Sequence, residues 1–308
     1  MRVLRSVSEF SSNLDEARSA GLKIGLVPTM GALHAGHRSL VERAHRECGF
    51  VAVTIFVNPL QFNDKGDLDA YPRTLEADLV LLSDAGADVV LVPGVTEMYP
   101  DYPAQPATTV HVGVVTDGLE GAFRPGHFDG VATVVTKLLC MSGRCRAYFG
   151  EKDFQQVAVV SRLVRDLLLP VDVIACATVR EYDGLALSSR NARLSDADRK
   201  RASVISRALF CAAKEVSAGE RDPESLRSTM AGVLASEPGV VAEYVAVVDP
   251  SDLSTPERLS GEVRLLIAAR VGDVRLIDNV GAVVGAGVRQ NVDGPAVKET
   301  TLEGATGS

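Results

Sequence analysis

The first half of the chain alternates between short apolar runs and amphipathic stretches. Apolar runs rich in β-branched residues at 22–27 and 50–57 predict buried strands, and a helical pattern at 37–48, stopped by Gly49, lies between them. Parallel neighbouring strands need a crossover connection, which is usually a helix, and such sheets are buried on both faces. The pattern therefore predicts an α/β fold with a Rossmann-like, doubly wound parallel sheet.

The same alternation continues along the chain. Thr74 caps a predicted helix that runs to about residue 83, and Pro170 ends a long amphipathic helix. The further elements predicted in this part are a strand at 88–92, a helix at 130–141, a strand at 146–149, a helix at 154–168 and a strand at 171–179.

From about Asp183 the pattern changes. Helices are predicted at 195–218 and 223–236, followed by strands at 240–248, 263–270 and 274–280, the last two flanking a hairpin turn at Val271-Gly272-Asp273. We therefore expect a Rossmann-like domain at 1–182 and a smaller α+β domain at 183–284. Residues 285–308 lack periodicity and are predicted to be disordered.

Composition limits the partners of the chain. The 308 residues are 46% hydrophobic and 23% charged, as in ordinary globular proteins, and 32 Lys and Arg against 40 Asp and Glu give a net charge of −8. Without a basic block, a general nucleic-acid surface is not expected. No apolar run is long enough for a membrane span or a signal core. Five cysteines without a Cys-x-x-Cys pair predict a reduced, cytoplasmic protein.

Residues 28–37, directly after the first predicted strand, read PTMGALHAGH. The first N–H groups of a helix lack partners and its dipole is positive there, so anions bind at such a junction. His34 and His37 add two imidazoles three positions apart, and Gly36 allows close approach to the backbone. These features predict a phosphate site for a nucleotide. The same spacing would also arise if the two histidines were unrelated surface residues or if they bound a metal ion. The His-Glu-x-x-His pattern of zinc proteases is absent.

Other polar residues follow predicted strands. Pro28, Asn58 and Gly150 begin loops at strand ends, where ligands bind in such sheets. Four loop segments combine charged, amide or hydroxyl side chains, although each alone also fits a solvated turn: Asn58 to Phe62 with Gln61, Arg124 to Phe128 with His127, Gly150 to Asp153 with Lys152, and Leu187 to Arg190 with Ser188 and Ser189.

Together these stretches resemble the pantoate–β-alanine ligase family (pantothenate synthetases), which belongs to the nucleotidyltransferase superfamily with a His-x-Gly-His signature. The resemblance runs to about residue 284 and includes residues 27–37, 56–62, 69–74, 120–130, 149–156, 179–193 and 265–279. It implies that ATP with Mg²⁺ activates the carboxylate of (R)-pantoate as an adenylate and releases pyrophosphate. The amine of β-alanine then attacks, giving pantothenate and AMP. It also implies a homodimer formed through the first domain.

The resemblance further implies which residues bind ATP and catalyse. His37 is the expected proton donor, and it forms the catalytic set with His34, Lys152 and Arg190. The implied ATP-binding residues are Met30, Gly31, Ala32, Leu33, His34, Ala35, Gly36, His37, Gly150, Glu151, Lys152, Asp153, Val179, Leu187, Ser188, Ser189 and Arg190.

Substrate and metal roles are implied in the same way. Gln61 is expected to contact both pantoate and β-alanine, and Gln156 to contact pantoate. Arg124 and His127 match further active-site positions, and Asp78 matches an acidic residue near the Mg²⁺–phosphate cluster.

Two positions depart from the family pattern. Leu187 replaces the usual Met, a swap that conserves volume, and Ala35 replaces the common Glu. Two other functions remain open on the residues alone. A plain nucleotidyltransferase would act on a phosphorylated substrate, whereas the neutral amides of Gln61 and Gln156 suit a hydroxy acid better. A regulatory module would bind ATP without forming pyrophosphate or AMP.

Overall fold

The structure is a computed structural model that describes residues 1–285, so the tail predicted to be disordered lies, apart from Gly285, outside the described residues. The strands are β1 (Arg2–Leu4), β2 (Ile24–Thr29), β3 (Phe50–Ile55), β4 (Val89–Leu91), β5 (Cys145–Gly150), β6 (Val171–Cys176), β7 (Val240–Val248), β8 (Glu262–Val271) and β9 (Val274–Val283). The helices are α1 (Val7–Ser19), α2 (Ala35–Glu47), α3 (Lys65–Asp69), α4 (Leu75–Asp84), α5 (Val95–Met98), α6 (Glu120–Phe123), α7 (His127–Ser142), α8 (Phe154–Asp166), α9 (Asp196–Ala218) and α10 (Pro223–Ala235).

Six strands form one parallel sheet in the order β1-β4-β3-β2-β5-β6. Successive strand residues pack into different cores: Leu26 contributes to the core with α1, α7 and α8, and Val27 to the core with α2 and α4. Helices thus cover both faces of the sheet, which is why its strands are apolar on both sides. The predicted doubly wound α/β fold is confirmed.

Three adjacent strands in the middle of this sheet, β3, β2 and β5, end at the same edge. Pro28 lies next to last in β2, Asn58 lies three residues beyond β3, and Gly150 closes β5. The loops that begin there therefore meet at one place, as expected for the carboxyl ends of parallel strands.

A second, antiparallel sheet has the order β7-β8-β9 and packs against α9 and α10. Its core is separate from those of the large sheet and includes Ile205, Leu226 and Ile267. The predicted hairpin is present, because Val271 pairs with Val274 across a two-residue turn that begins at Gly272 (φ +56°). The elements after residue 195 therefore form an α+β unit.

Ionic contacts join the two units beside the edge where the loops meet. Both nitrogens at the tip of the Arg275 guanidinium lie 2.7 Å from the Glu120 carboxylate, and the Tyr244 hydroxyl donates to it at 2.9 Å. Burial alone would raise the pKa of Glu120, but Arg275 and Tyr244 hold it below its ordinary value. Glu120 is only 6% exposed, and its carboxylate finds its hydrogen-bond partners in the α+β unit.

Some elements differ from their predicted bounds. β2 begins at Ile24, because Leu22 lies in the connection after α1 and is 39% exposed. β6 ends at Cys176, so Val179 is not in the strand. Thr74 does occupy the N-cap of α4, but its side chain makes no capping hydrogen bond. Its hydroxyl donates to Asp78 instead.

Candidate active site

The loop between β2 and α2 is anchored by the buried Asp78 carboxylate of α4. The N–H of Ala32 donates to Asp78 Oδ2 at 3.0 Å and the N–H of Leu33 to Oδ1 at 2.8 Å. Ala32 has a φ of +50°, a left-handed conformation that is costly for a residue with a Cβ. At neighbouring Gly31 (φ +86°) a Cβ would lie 3.1 Å from Asp78 Oδ2. Asp78 therefore holds a strained loop in place.

His34 and His37 begin helix α2 with their rings 4.2 Å apart. Nδ1 of His34 accepts from the N–H of Gly36 at 3.1 Å, and Nδ1 of His37 accepts from the N–H of His34 at 3.3 Å. In a neutral ring the proton then lies on Nε2, so each histidine presents an N–H donor on its outer edge. Gly36 is required by the His34 ring itself, since a Cβ would lie 2.9 Å from His34 Cε1.

Both imidazoles are neutral at neutral pH. Burial, followed by the proximity of the His34 ring and by the Lys152 charge, lowers the pKa of His37 to about 3. Burial and the Lys152 charge also lower the pKa of His34. The pair therefore offers two uncharged hydrogen-bond donors.

Lys152 lies on a 3₁₀ turn, Glu151–Asp153, directly after β5. Its ammonium is 3.6 Å from the Asp153 carboxylate. Partial burial raises the pKa of the half-exposed Asp153 carboxylate, but the charges of Lys152 and Arg190 outweigh this and lower it. Arg190 approaches from a 3₁₀ turn, Ser189–Arg193, in which Ser188 Oγ accepts the N–H of Arg190 at 3.2 Å. The two predicted cations therefore act on one carboxylate from different parts of the chain.

The segment before Arg190 folds back on itself. The N–H of Leu187 donates to the carbonyl of Val179 at 3.0 Å, and Arg180 forms a bridge with Ala186. Two residues expected at the nucleotide, Val179 and Leu187, are thereby brought together. Ser188, Lys152 and Arg190 line one cavity next to this segment.

A larger cleft of about 480 Å³ lies beside the first cavity, between the two units. The residues expected to bind ATP or substrate, or to catalyse, that line it are Arg124, His127, Lys152, Asp153, Gln156 and Arg190. Residues from separate loops and helix ends thus face one space.

Gln61 lies against the β2–α2 loop and is held by its neighbours. The Asn58 side-chain amide donates to Gln61 Oε1 at 3.1 Å, and the Tyr99 hydroxyl donates to Asn58 Oδ1 at 2.9 Å. Gln61 Nε2 lies 3.0 Å from the sulfur of Met30 in the β2–α2 loop. These contacts fix which end of the buried Gln61 amide points toward that loop.

His127 and Arg124 form a pair next to Gln61. Nδ1 of His127 lies 2.8 Å from the main-chain carbonyl of Gln61, so it carries the ring proton, and Nε2 accepts from Arg124 at 3.1 Å. Burial, and then the Arg124 charge, lowers the pKa of His127 to about 4. His127 is therefore neutral and leaves the positive charge on Arg124.

Several site residues were not found by sequence reasoning. Gln155, next to the predicted Gln156, is buried: its amide accepts from the N–H of Glu120 and donates to the carbonyls of Val115 and Gly118. Tyr244 and Asn279 also line the cleft. The available signal was a pair of polar residues, Asp278-Asn279, inside an otherwise apolar strand pattern.

The described residues do not form a ready-made metal site. In residues 1–285, no group of three or more His, Cys, Asp and Glu side chains is arranged to hold an ion. Asp78, predicted near Mg²⁺, accepts three hydrogen bonds from Ala32, Leu33 and Thr74 and is only 2% exposed. Mg²⁺ keeps several waters and needs accessible oxygens, so this carboxylate does not fit the metal-ligand role.

The neutral histidines predict a pH dependence of stability. An unfolded histidine binds a proton below about pH 6.5, whereas folded His37 and His127 bind theirs only near pH 3 and pH 4. Unfolding therefore takes up protons. As the pH is lowered from 6.5 to 5, the free energy of unfolding should fall, by up to about 1.4 kcal/mol per pH unit for each histidine. Denaturant unfolding at several pH values would measure this.

The contribution of one histidine is isolated by His127→Gln. We expect this variant to have a shallower slope over the same pH range than the unsubstituted protein. Identical slopes would show that folding does not lower the pKa of His127.

In the described part of the chain, no helix has both the length and the apolar content needed to cross a bilayer.

A family model described as pantoate-beta-alanine ligase matches residues 2–281. Pantothenate synthetase of Cereibacter sphaeroides is 52% identical over 278 residues, which cover 90% of this chain and 98% of that protein. Pantothenate synthetase of Chloroflexus aurantiacus is 50% identical over 284 residues, covering 91% and 97%.

Solved structures agree with these sequence matches. Pantothenate synthetase from Thermus thermophilus has a TM-score of 0.84 and 46% identity, and the match covers 91% of this chain and 99% of that one. Pantoate-beta-alanine ligase from Francisella tularensis, in a complex with β,γ ATP and β-alanine, has a TM-score of 0.73 and 35% identity, covering 91% and 97%. The matched family model, the relatives and the shared fold show that this chain belongs to the pantoate–β-alanine ligase family.

Proposed function

We propose that this enzyme forms an adenylate of (R)-pantoate from ATP, releases pyrophosphate, and then transfers the pantoyl group to β-alanine with release of AMP. The observation that carries the proposal is twofold: two neutral imidazoles lie close enough to Lys152 to feel its charge, and Lys152 and Arg190 line one cleft with the Gln156 amide. The Francisella tularensis relative, whose complex contains β,γ ATP and β-alanine, supports both ligands.

The first step brings a carboxylate against a polyphosphate, so negative charge must be neutralised. The N-terminus of α2 attracts phosphate, and the Nε2–H groups of His34 and His37 add two donors without adding charge. Lys152 and Arg190 supply positive charge to the α-phosphate and the departing pyrophosphate. The pantoate carboxylate displaces pyrophosphate at the α-phosphorus, and a carbon–oxygen–phosphorus linkage forms.

We propose that Mg²⁺ binds together with ATP. Bound in this way, Mg²⁺ would supply further charge neutralisation. We propose that water and nucleotide oxygens make up its ligands, because the one carboxylate assigned to it, Asp78, is committed to the β2–α2 loop.

The second step needs the β-alanine amine beside the activated acyl carbon. Gln61 and Gln156 offer amide donors and acceptors to a hydroxy acid and an amine without an opposing charge. Arg124 retains further N–H donors for a substrate carboxylate. The amine attacks the acyl carbon, AMP leaves with the bonding electrons, and the amine gives up a proton.

Cellular setting and assembly are proposed on the family resemblance. The five cysteines are unpaired, which supports a reducing, cytoplasmic location. We also propose a homodimer formed through the first unit.

The adenylation step separates this function from the alternatives. The purified protein should release pyrophosphate when ATP and pantoate are supplied without β-alanine, and should form AMP and pantothenate once β-alanine is added. A plain nucleotidyltransferase would instead need a phosphorylated acceptor. A regulatory module would bind ATP and release neither product.

Gln61 is expected to serve both steps. Gln61→Ala removes an amide that is only 8% exposed and leaves the Asn58 amide without one partner. We expect adenylation and aminolysis each to slow by about 10- to 100-fold in single-turnover measurements. Gln105→Ala, which removes an exposed side-chain amide from a different loop, is the control and should leave both steps unchanged. Loss of only one step in Gln61→Ala would contradict a shared role.

A further inference from the structure

The turn that carries Lys152 is held by a residue of the second unit. The side-chain amide nitrogen of Asn279 in β9 donates to the main-chain carbonyls of Glu151, at 3.0 Å, and Lys152, at 2.8 Å. Asn279 Oδ1 accepts from Arg264 Nε at 2.7 Å. The polar atoms of this buried side chain are thus engaged by protein groups.

Arg264 in β8 completes the contact. It is 9% exposed, donates to the Glu151 carboxylate at 3.2 Å, and places its guanidinium carbon 4.0 Å from the centre of the Phe154 ring. Gly281, its partner across the hairpin, leaves room for it, because a Cβ there would lie 3.0 Å from the guanidinium. Arg264 therefore contacts the residues on both sides of Lys152 and Asp153.

These contacts matter because the turn has little internal support. A three-residue 3₁₀ turn makes few hydrogen bonds of its own, and this one has no side-chain cap. The Lys152 ammonium is 3.6 Å from Asp153, so its side chain is only loosely paired. The position of the ammonium then depends on where the backbone of the turn lies.

We infer that Asn279 is a positioning residue for Lys152, and that Arg264 fixes the orientation of the Asn279 amide. This inference rests on the proposed function, in which Lys152 meets the phosphates of ATP. Asn279 acts through the turn, since its amide hydrogen bonds go to the turn and to Arg264.

The decisive variant is Asn279→Asp. It keeps the size of the side chain and an acceptor for Arg264, but it removes both hydrogen bonds to the turn. We expect kcat for pantoate-dependent pyrophosphate release to fall by about 10- to 100-fold, with KM for β-alanine unchanged. Val280→Ala, a core residue next along β9, is the control for general loss of stability and should leave kcat unchanged. An Asn279→Asp protein with normal kcat would overturn the inference.

A double-mutant cycle tests whether the effect passes through Lys152. In a Lys152→Ala background, Asn279→Asp should cost less than about threefold, because the group that it positions is gone. If Asn279→Asp lowered kcat by the same factor with and without Lys152, the result would show that Asn279 does not act through Lys152.

Hydrogen exchange tests the turn without relying on activity. Amides at 150–154 should exchange faster in Asn279→Asp than in Val280→Ala, and unchanged exchange there would also overturn the inference. If the wild-type protein releases no pyrophosphate, the proposed function is wrong, but the inference about Asn279 is not thereby decided. The hydrogen-exchange result still decides whether Asn279 holds the turn.

Discussion

Lys152→Ala is expected to reduce pantoate-dependent pyrophosphate release by about 10²- to 10³-fold and to leave the fold intact. The ammonium lies in the cleft with Arg190 and close enough to His34 and His37 to lower their pKa values. Charge on the leaving pyrophosphate grows as the reaction proceeds, so a cation beside it stabilises the transition state more than the bound substrates. The loss should therefore appear mainly in kcat.

The measurement is a continuous pyrophosphate assay at saturating ATP and pantoate. Lys200→Ala, an exposed residue of α9, serves as the control and should retain normal rates. Equal melting temperatures would exclude a folding defect. His37→Ala is expected to show a loss of similar order, because it removes a donor at the start of α2. Near-normal rates in Lys152→Ala would contradict the assigned role.

Asp78→Ala should affect both stability and activity. It leaves the partly buried N–H groups of Ala32 and Leu33 without their acceptor, and it frees the left-handed backbone at Ala32. We expect the free energy of unfolding to fall by about 2–5 kcal/mol. Pyrophosphate release should fall by at least about 10²-fold, because the loop that positions His34 and His37 is no longer fixed.

The response to added Mg²⁺ distinguishes a loop-anchoring role of Asp78 from a metal-binding role. If Asp78 anchors the loop, a higher Mg²⁺ concentration should not restore activity to Asp78→Asn. Asp84→Ala, at the exposed end of the same helix, is the control and should behave as the unsubstituted protein. Rescue of Asp78→Asn by Mg²⁺, with unchanged stability, would instead identify Asp78 as a metal ligand.

The elements with strong local signals could be predicted from the sequence. β3 and β7 stand out as apolar runs, and α8 and α9 as long amphipathic patterns with clear ends. β1 and α1 were missed. β1 has only three residues, and the apolar spacing of Phe10, Leu14 and Ala17 in α1 is surrounded by polar residues.

The site was predictable only where its residues sit on the loops of the sheet edge. His34 and His37 lie at the start of the helix that follows β2, and Lys152 lies two residues after β5, so local sequence and topology place them at the same sheet edge. Asp78 accepts hydrogen bonds from loop amides, and Asn279 donates to turn carbonyls. In each case the two partners are 45 or more positions apart in the sequence, and no local pattern reveals such contacts. The family resemblance matched the stretch that contains Asn279 and suggested a role for Asp78, but the hydrogen bonds that they make come from the tertiary fold.

The contact between Asn279 and the Lys152 turn also bears on how the protein is made. The two residues are 127 positions apart, and Arg275 lies 155 positions after its partner Glu120. A chain emerges from the ribosome with its N-terminus first. The histidines and Lys152 are therefore synthesised well before the residues that fix their surroundings. A growing chain has an incomplete site until residues 264–279 have emerged, so we do not expect it to generate a reactive acyl intermediate while it is still being translated.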